Sequence, residues 1–127
     1  MYYFIAKKMI DEAKLAFSDQ KFVFIETDGA HLPLAEESVD FVFSFATLQH
    51  MPDLETVKSN FYDIKKILKP GGIFKVQLRG APILRSSWSY GVDFSEKSAI
   101  NLAEDFGFKI LKVFRESDRN LWLLLEK

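Results

Sequence analysis

The sequence predicts an α/β fold in which helices alternate with the strands of a largely parallel sheet. Apolar side chains repeat at helical spacing in three segments, runs of β-branched and aromatic residues separate those segments, and Pro or Gly stands at their boundaries. With 127 residues, 48% of them hydrophobic, the chain can bury one sizeable core. We therefore expect a single domain over residues 1–127.

The first two predicted elements are a helix and a buried strand. Ile5, Met9, Ala13 and Phe17 follow one another at the spacing of a helical face, which predicts a helix over residues 5–17. Residues 21–27 are rich in aromatic and β-branched side chains and have the length of a strand. Their nearly continuous apolarity predicts a strand that is buried on both faces.

The middle of the chain repeats this alternation. Residues 39–45 form a second apolar strand, and residues 54–68 place their apolar side chains on one helical face. Lys69-Pro70-Gly71-Gly72 ends that helix, because Pro interrupts it and Gly adopts the backbone angles of the turn. Residues 73–78 should be the next strand.

The C-terminal third predicts a loop, a helix and a hairpin. Residues 79–93 contain Gly, Pro and Ser and are predicted to be irregular. Ser95 has the character of an N-cap for a helix over 96–106 that Gly107 ends. The last two strands, residues 108–114 and 121–126, are separated by a polar turn and predict an antiparallel hairpin.

Composition disfavours several classes of partner and site. With 17 Lys and Arg against 18 Asp and Glu, the net charge is -1, so we expect no binding of nucleic acid through a basic surface. No Cys and only two His are present, so we expect no metal site. The short apolar run before Lys7 predicts neither a signal peptide nor a membrane span. The expected location is the cytoplasm.

The order of five short motifs resembles that of class I S-adenosylmethionine-dependent methyltransferases of the type 11 group. The motifs are Asp28, Leu32-Pro33-Leu34, Ser38-Val39-Asp40, His50-Met51-Pro52 and Leu68-Lys69-Pro70-Gly71-Gly72. The resemblance implies a Rossmann-like, three-layer methyltransferase sheet that ends in an antiparallel hairpin. It also implies S-adenosylmethionine as cofactor and a small-molecule methyl acceptor, for which residues 79–93, with Arg85, Trp88 and Tyr90, are the candidate loop.

The resemblance assigns the adenine end of the cofactor to the turn after residues 21–27. It implies that Asp28 accepts a hydrogen bond from the exocyclic amine of adenine, and that the N–H of Gly29 or Ala30 reaches a ring nitrogen. The carboxyl ends of parallel strands open into the ligand crevice of such sheets, which suits this placement. The alternative is that Asp28 only caps its own turn, as Asp often does.

Three further residues follow the second predicted strand. By the resemblance, Phe45 and Ala46 line the methionine part of the cofactor, although Phe side chains more often fill protein cores. His50 is the candidate catalytic residue, because an imidazole near the acceptor can serve as a general base. The alternative for His50 is a capping or packing role.

The glycine-rich loop that opens this family has no counterpart in the sequence. The six glycines contain no Gly-x-Gly-x-Gly spacing, and Phe4 stands where the ribose-binding carboxylate is expected. The domain is therefore predicted to be partial and N-terminally truncated, with an open sheet edge that a second copy or a partner chain covers. A non-catalytic interaction subunit and a nucleotide-binding regulator are the alternatives to an enzyme.

Overall fold

The computed structural model describes residues 2–19, 21–80 and 91–127. Its helices are α1 (Tyr2–Ala16), α2 (Leu54–Ile67) and α3 (Glu96–Asp105), and a short 3-10 helix covers Leu48–His50. Its strands are β1 (Val39–Ser44), β2 (Leu68–Gly80), β3 (Asp93–Phe94), β4 (Lys109–Arg115) and β5 (Asn120–Glu126).

The strands form one open sheet in the order β1-β2-β5-β4, with β3 beside the end of β2. β1 and β2 run parallel, with Val42 opposite Phe74. β5 runs antiparallel to both β2 and β4, so the chain ends in a hairpin whose second strand lies inside the sheet. The predicted α/β fold with a C-terminal antiparallel hairpin is confirmed, but the sheet is mixed, because β1–β2 and β2–β3 are parallel whereas the inner pair β2–β5 is antiparallel.

The core lies between one face of this sheet and helices α2 and α3. Phe61 of α2 is fully buried, and its ring centroid lies 5.3 Å from that of Phe74 on β2 and 6.1 Å from that of Phe108. Leu102 of α3 and Leu123 of β5 join the same cluster. Because strand side chains alternate between faces, the residues next to these in sequence point to the opposite face of the sheet.

Both well-packed helices begin with a capping side chain. Asp53 Oδ1 accepts a hydrogen bond from Thr56 N at 2.8 Å at the start of α2. Ser95 Oγ accepts from Ser98 N at 3.1 Å, as the sequence predicted for α3. Gly107 has a φ of +75° just beyond α3, which is a conformation that favours glycine.

Replacing Ser95 by Ala should lower the free energy of unfolding by about 1 kcal/mol, because the N–H of Ser98 loses its acceptor. Urea denaturation measures the change. Ser95→Asp is the matched control, since it keeps an acceptor at the cap and should unfold close to the parent midpoint. Equal midpoints for Ser95→Ala and the parent would contradict the capping role.

The prediction of a buried strand over residues 21–27 is wrong. The segment is extended, but no strand pairs with it within the described ranges. Phe22 and Val23 are 60% and 82% exposed. A β-prone sequence forms a strand only where a neighbouring strand satisfies its backbone N–H and C=O groups. Among the described residues, β2 is the one strand that pairs with the edge strand β1, and residues 21–27 do not pair with the free side of β1.

Within those ranges, no helix combines the length and apolarity needed to span a bilayer. They also hold no group of three or more His, Asp or Glu side chains arranged to bind a metal ion. The acceptor loop proposed from the sequence, with Arg85, Trp88 and Tyr90, lies mostly outside the described residues.

Candidate functional site

The turn that follows β1 is held in a strained conformation by a buried amide. Ala46 has a φ of +52°, which is costly for a residue with a Cβ. Its N–H donates to Gln77 Oε1 at 2.9 Å, and Gln77 Nε2 donates to Asn120 Oδ1 at 2.7 Å. Gln77 is only 2% exposed. A buried side chain of β2 therefore sets the backbone at the carboxyl end of β1.

A groove of about 570 Å³ begins at this turn and runs over the sheet face opposite the core. Phe45 and Trp122 form part of its wall, with ring planes 3° apart and centroids 5.8 Å apart. The other lining residues are Phe43, Ala46, Gln49, Lys75, Gln77, Glu116 and Asn120. The groove thus combines flat apolar walls with amide and charged groups.

The Asp28 turn is closed by its own carboxylate. Asp28 Oδ1 accepts from the N–H groups of Ala30 and His31 at 2.8 and 2.7 Å. Asp28 Oδ2 lies 2.7 Å from Nδ1 of the His31 ring. The N–H of Gly29 donates to Thr27 Oγ1 at 3.2 Å. Asp28 therefore caps its turn, and the N–H groups of Gly29 and Ala30 both have partners within the turn.

Helix α2 holds this turn from its polar side. Asn60 Nδ2 donates to Gly29 O at 2.9 Å, Ser59 Oγ donates to Ala30 O at 2.8 Å, and Asp63 Oδ2 accepts from Leu32 N at 2.8 Å. Asn60 is 7% exposed. The turn is thus fixed to a helix that packs on the core, although the segment before it pairs with no strand.

The contacts of the turn shift the pKa values of both its ionisable side chains. The hydrogen bond from the His31 ring, followed by those from the N–H groups of Ala30 and His31, lowers the pKa of Asp28 to about 2. The same side-chain hydrogen bond raises the pKa of His31 above its ordinary value. Both partners are charged between the ordinary carboxyl pKa and the ordinary imidazole pKa, so the ion pair is fully formed in that pH range. It is lost as the pH rises through the raised pKa of His31, because the imidazole then loses its proton.

Replacing Asp28 by Asn should return the His31 pKa toward its ordinary value, because the imidazolium loses its anionic partner. A pH titration followed by NMR of the imidazole protons measures the pKa in both proteins. Asp63→Asn is the matched control, since Asp63 contributes less to the raised pKa of His31 than Asp28 does. A His31 pKa that is equal in the parent and in Asp28→Asn would contradict the ion pair.

The structure brings together only some of the residues that the sequence analysis singled out. Phe45 and Ala46 both line the groove, and Phe45 is 55% exposed, so the alternative of a core Phe is wrong. Asp28, Gly29 and Ala30 are not among the residues that line it. His50 ends the 3-10 helix, is exposed, and lies with Nε2 3.1 Å from Nε2 of Gln49 on the groove wall. Their roles toward a ligand stay predictions.

Sequence reasoning missed the polar side chains that position the two turns. Gln77 was visible as the one amide inside the apolar run of residues 73–78. Ser59, Asn60 and Asp63 have the spacing of a single helix face, which marks a polar stripe beside the apolar one. The hydrogen-bond partners of these four side chains lie 29 to 31 residues away in sequence. Local sequence patterns can therefore indicate that such a side chain is buried, but they do not show which residue it contacts.

Comparison with known proteins places the chain in a family. Residues 3–76 match the model of the methyltransferase domain family. A stretch of 58 residues is 38% identical to the sterol 24-C-methyltransferase of Schizosaccharomyces pombe. That match spans 46% of this chain and 15% of the yeast protein.

Solved structures of similar fold include several described as S-adenosylmethionine-dependent methyltransferases. One from Mesorhizobium loti has a TM-score of 0.73 at 19% identity, over 94% of this chain and 76% of its own. The 1,6-didemethyltoxoflavin-N1-methyltransferase of Burkholderia thailandensis, solved with 1,6-didemethyltoxoflavin and S-adenosylhomocysteine, has a TM-score of 0.70 at 16% identity. It matches over 82% of this chain and 50% of its own. At these identities the likeness establishes the fold.

Proposed function

The chain belongs to the methyltransferase domain family, and from this premise we propose that it forms part of a site for S-adenosylmethionine and contributes to methyl transfer to a small molecule. The observation that carries the proposal is the pair of positioned turns. Gln77 holds the turn after β1, and Ser59 and Asn60 hold the turn at Asp28. Ligands of open α/β sheets bind beyond the carboxyl ends of the strands.

The residues of the Asp28 turn fit the adenine end of the cofactor. The Asp28 side chain is 52% exposed, so a ligand amine can reach it and exchange with His31. Apart from Gly29 and its two chain neighbours, no heavy atom of the described residues lies within 4 Å of the position that a Cβ on Gly29 would occupy, so the backbone there is open to close approach. We assign the adenine amine to the Asp28 carboxylate and the ring nitrogen to the N–H of Gly29 or Ala30, which would exchange its present acceptor, Thr27 Oγ1 or Asp28 Oδ1, for the ligand.

The end of β1 fits the remainder of the ligand. Phe45 and Ala46 form a wall of the adjoining groove. When bound, S-adenosylmethionine supplies a methyl group that its sulfonium already activates, so these residues mainly position the reactants and exclude water.

We assign acid-base chemistry to His50, if the acceptor must lose a proton. Its ring is exposed beside Gln49, at the rim of the groove, where an acceptor in the groove could be reached. The apolar walls suit an apolar or planar acceptor, and the similar proteins named for sterol and for 1,6-didemethyltoxoflavin agree with a small-molecule acceptor. A cytoplasmic location stays a prediction from the sequence.

Calorimetric titration with S-adenosylmethionine tests the proposal. Replacing Asp28 by Ala should raise the dissociation constant about tenfold, the usual effect of losing one hydrogen bond to a charged group. Asp40→Ala is the matched control, because Asp40 is an exposed Asp whose carboxylate pairs with Lys69. Binding that is equally tight in Asp28→Ala, or absent from the parent chain, would overturn the assignment.

One observation favours the non-catalytic interaction subunit as the second candidate function. The sheet face opposite α2 and α3 exposes Phe41 and Phe43 to solvent, and exposed apolar patches often mark interaction surfaces. Such a subunit would associate with another chain and show no binding in the calorimetric titration. The same experiment therefore separates the two candidates.

A further inference from the structure

The imidazole of His31 stands at the one oxygen of Asp28 that the backbone of the turn leaves for an outside donor. Asp28 Oδ1 accepts two hydrogen bonds, from the N–H groups of Ala30 and His31, so both of its lone pairs are used. Asp28 Oδ2 lies 2.7 Å from Nδ1 of the His31 ring. A donor that approaches this carboxylate from outside the turn therefore meets Oδ2 with the imidazole already beside it.

Within the described part of the chain, this contact alone holds the His31 ring by a hydrogen bond. The His31 side chain is 72% exposed, and its ring bonds to no described residue other than Asp28. The backbone on both sides of it is fixed to α2, because Ala30 O accepts from Ser59 Oγ and Leu32 N donates to another side chain of that helix. The imidazole can therefore turn into solvent while the turn keeps its conformation.

Two carboxylates act on the charge of this ring. Asp28 belongs to the same turn, and Asp63 belongs to α2, the helix that holds the turn. The hydrogen bond to Asp28 is the largest cause of the raised pKa of His31, and Asp63 adds to it through its charge. Asp63 also accepts from Leu32 N, so its effect stays when the contact with Asp28 is lost. Loss of that contact should therefore lower the His31 pKa toward its ordinary value.

We propose that His31 competes with the adenine amine for Asp28 Oδ2, so that the cofactor binds by displacing the imidazole and a proton is released. The inference rests on the proposed function, because it takes Asp28 as the acceptor for adenine. On binding, an N–H of the adenine amine forms a hydrogen bond to Oδ2, and the bond from Nδ1 to Oδ2 breaks. The displaced imidazolium has lost its anionic partner and gives its proton to solvent.

Binding of the cofactor should strengthen as the pH rises. Below the ordinary imidazole pKa, His31 is charged with and without the ligand, so the ligand must break the ion pair and no proton leaves. Between the ordinary and the raised pKa, the free chain holds a proton that the complex partly releases. Above the raised pKa, the ion pair is already absent. Because a proton leaves on binding, linkage requires the affinity to increase with pH across this range.

Calorimetric titration with S-adenosylhomocysteine, repeated in buffers of different ionisation enthalpy, measures the protons released per ligand bound. The parent chain should release a fraction of a proton at a pH just above the ordinary imidazole pKa, and His31→Ala should release less. The amino group of the ligand titrates in both experiments, so the difference between the two chains isolates His31. His31→Ala keeps the backbone N–H that donates to Asp28 Oδ1, so the turn is retained.

The dissociation constant supplies the second measurement. At a pH where the parent imidazole is charged, His31→Ala should bind S-adenosylhomocysteine about two- to fivefold more tightly, on the scale of one exposed ion pair. At a pH where the imidazole is neutral, this difference should become smaller. Weaker binding by His31→Ala than by the parent at the lower pH would overturn the proposal, because the imidazole would then support the ligand.

The chain contains one other imidazole, that of His50, which gives the matched variant His50→Gln. Proton release that is equal in the parent and in His31→Ala would overturn the competition by His31 and leave the proposed function in place. The same holds for a release that disappears in His50→Gln and persists in His31→Ala. A parent chain that binds no S-adenosylhomocysteine at any pH would overturn the proposed function and this inference together.

Discussion

Replacing Phe61 by Ala is expected to lower the free energy of unfolding by about 3–5 kcal/mol. Phe61 is fully buried, and its ring contacts Phe74, Phe106 and Phe108, which join α2 to β2 and to the segment after α3. Truncation removes the apolar contact area and leaves a cavity where these elements meet. Because domains are stable by only about 5–15 kcal/mol, this loss removes a large share of the stability.

Urea denaturation followed by circular dichroism measures this effect. Tyr62→Ala is the matched control, since Tyr62 is the next residue of α2 and is 60% exposed. Its unfolding midpoint should stay close to that of the parent, as is usual for surface positions. A Phe61→Ala protein that unfolds at the parent midpoint would contradict the packing of α2 on the sheet.

The second large effect is expected at Gln77. Gln77→Leu keeps the size of the side chain but leaves Ala46 N–H without its acceptor and Asn120 Oδ1 without its donor. Unpaired groups of this kind cost roughly 1–3 kcal/mol. The left-handed backbone of Ala46 would also lose the bond that holds it. We therefore expect both lower stability and weaker binding of S-adenosylmethionine.

Asn120→Ala separates these two consequences. It removes the bond between Asn120 and Gln77 but keeps the bond from Ala46 N–H to Gln77. Both variants should therefore unfold at lower urea concentration, and binding in the calorimetric titration should weaken more in Gln77→Leu than in Asn120→Ala. Equal loss of binding in the two variants would contradict the role of Gln77 in positioning the turn.

Most of the fold could be predicted from local patterns. The apolar stripes of α2 and α3, the Ser95 cap and the polar turn of the hairpin are all properties of short segments, and each has its predicted place. The strand expected over residues 21–27 shows the limit of such patterns. Its side chains favour a strand, but strand formation depends on a neighbour that lies elsewhere in the sequence.

The candidate site was less predictable than the fold. Phe45 and Ala46 were placed beside a groove, but the left-handed φ of Ala46 depends on Gln77, which is 31 residues away. The Asp28 turn depends in the same way on Asn60. When a side chain contacts a residue far away in the sequence, the sequence shows only that a polar residue stands in an apolar segment. That pattern does not identify the partner.

The central claim is that the Asp28 turn and the end of β1 together form part of a site for S-adenosylmethionine. Amide chemical shifts recorded during titration with S-adenosylhomocysteine test it most directly. We predict that the amide signals of Gly29, Ala30 and Ala46 shift together with one dissociation constant, and that those of Lys109 and Ile110, at the opposite end of the sheet, do not. Binding that leaves these three amides unchanged, or shifts confined to other parts of the chain, would contradict the claim.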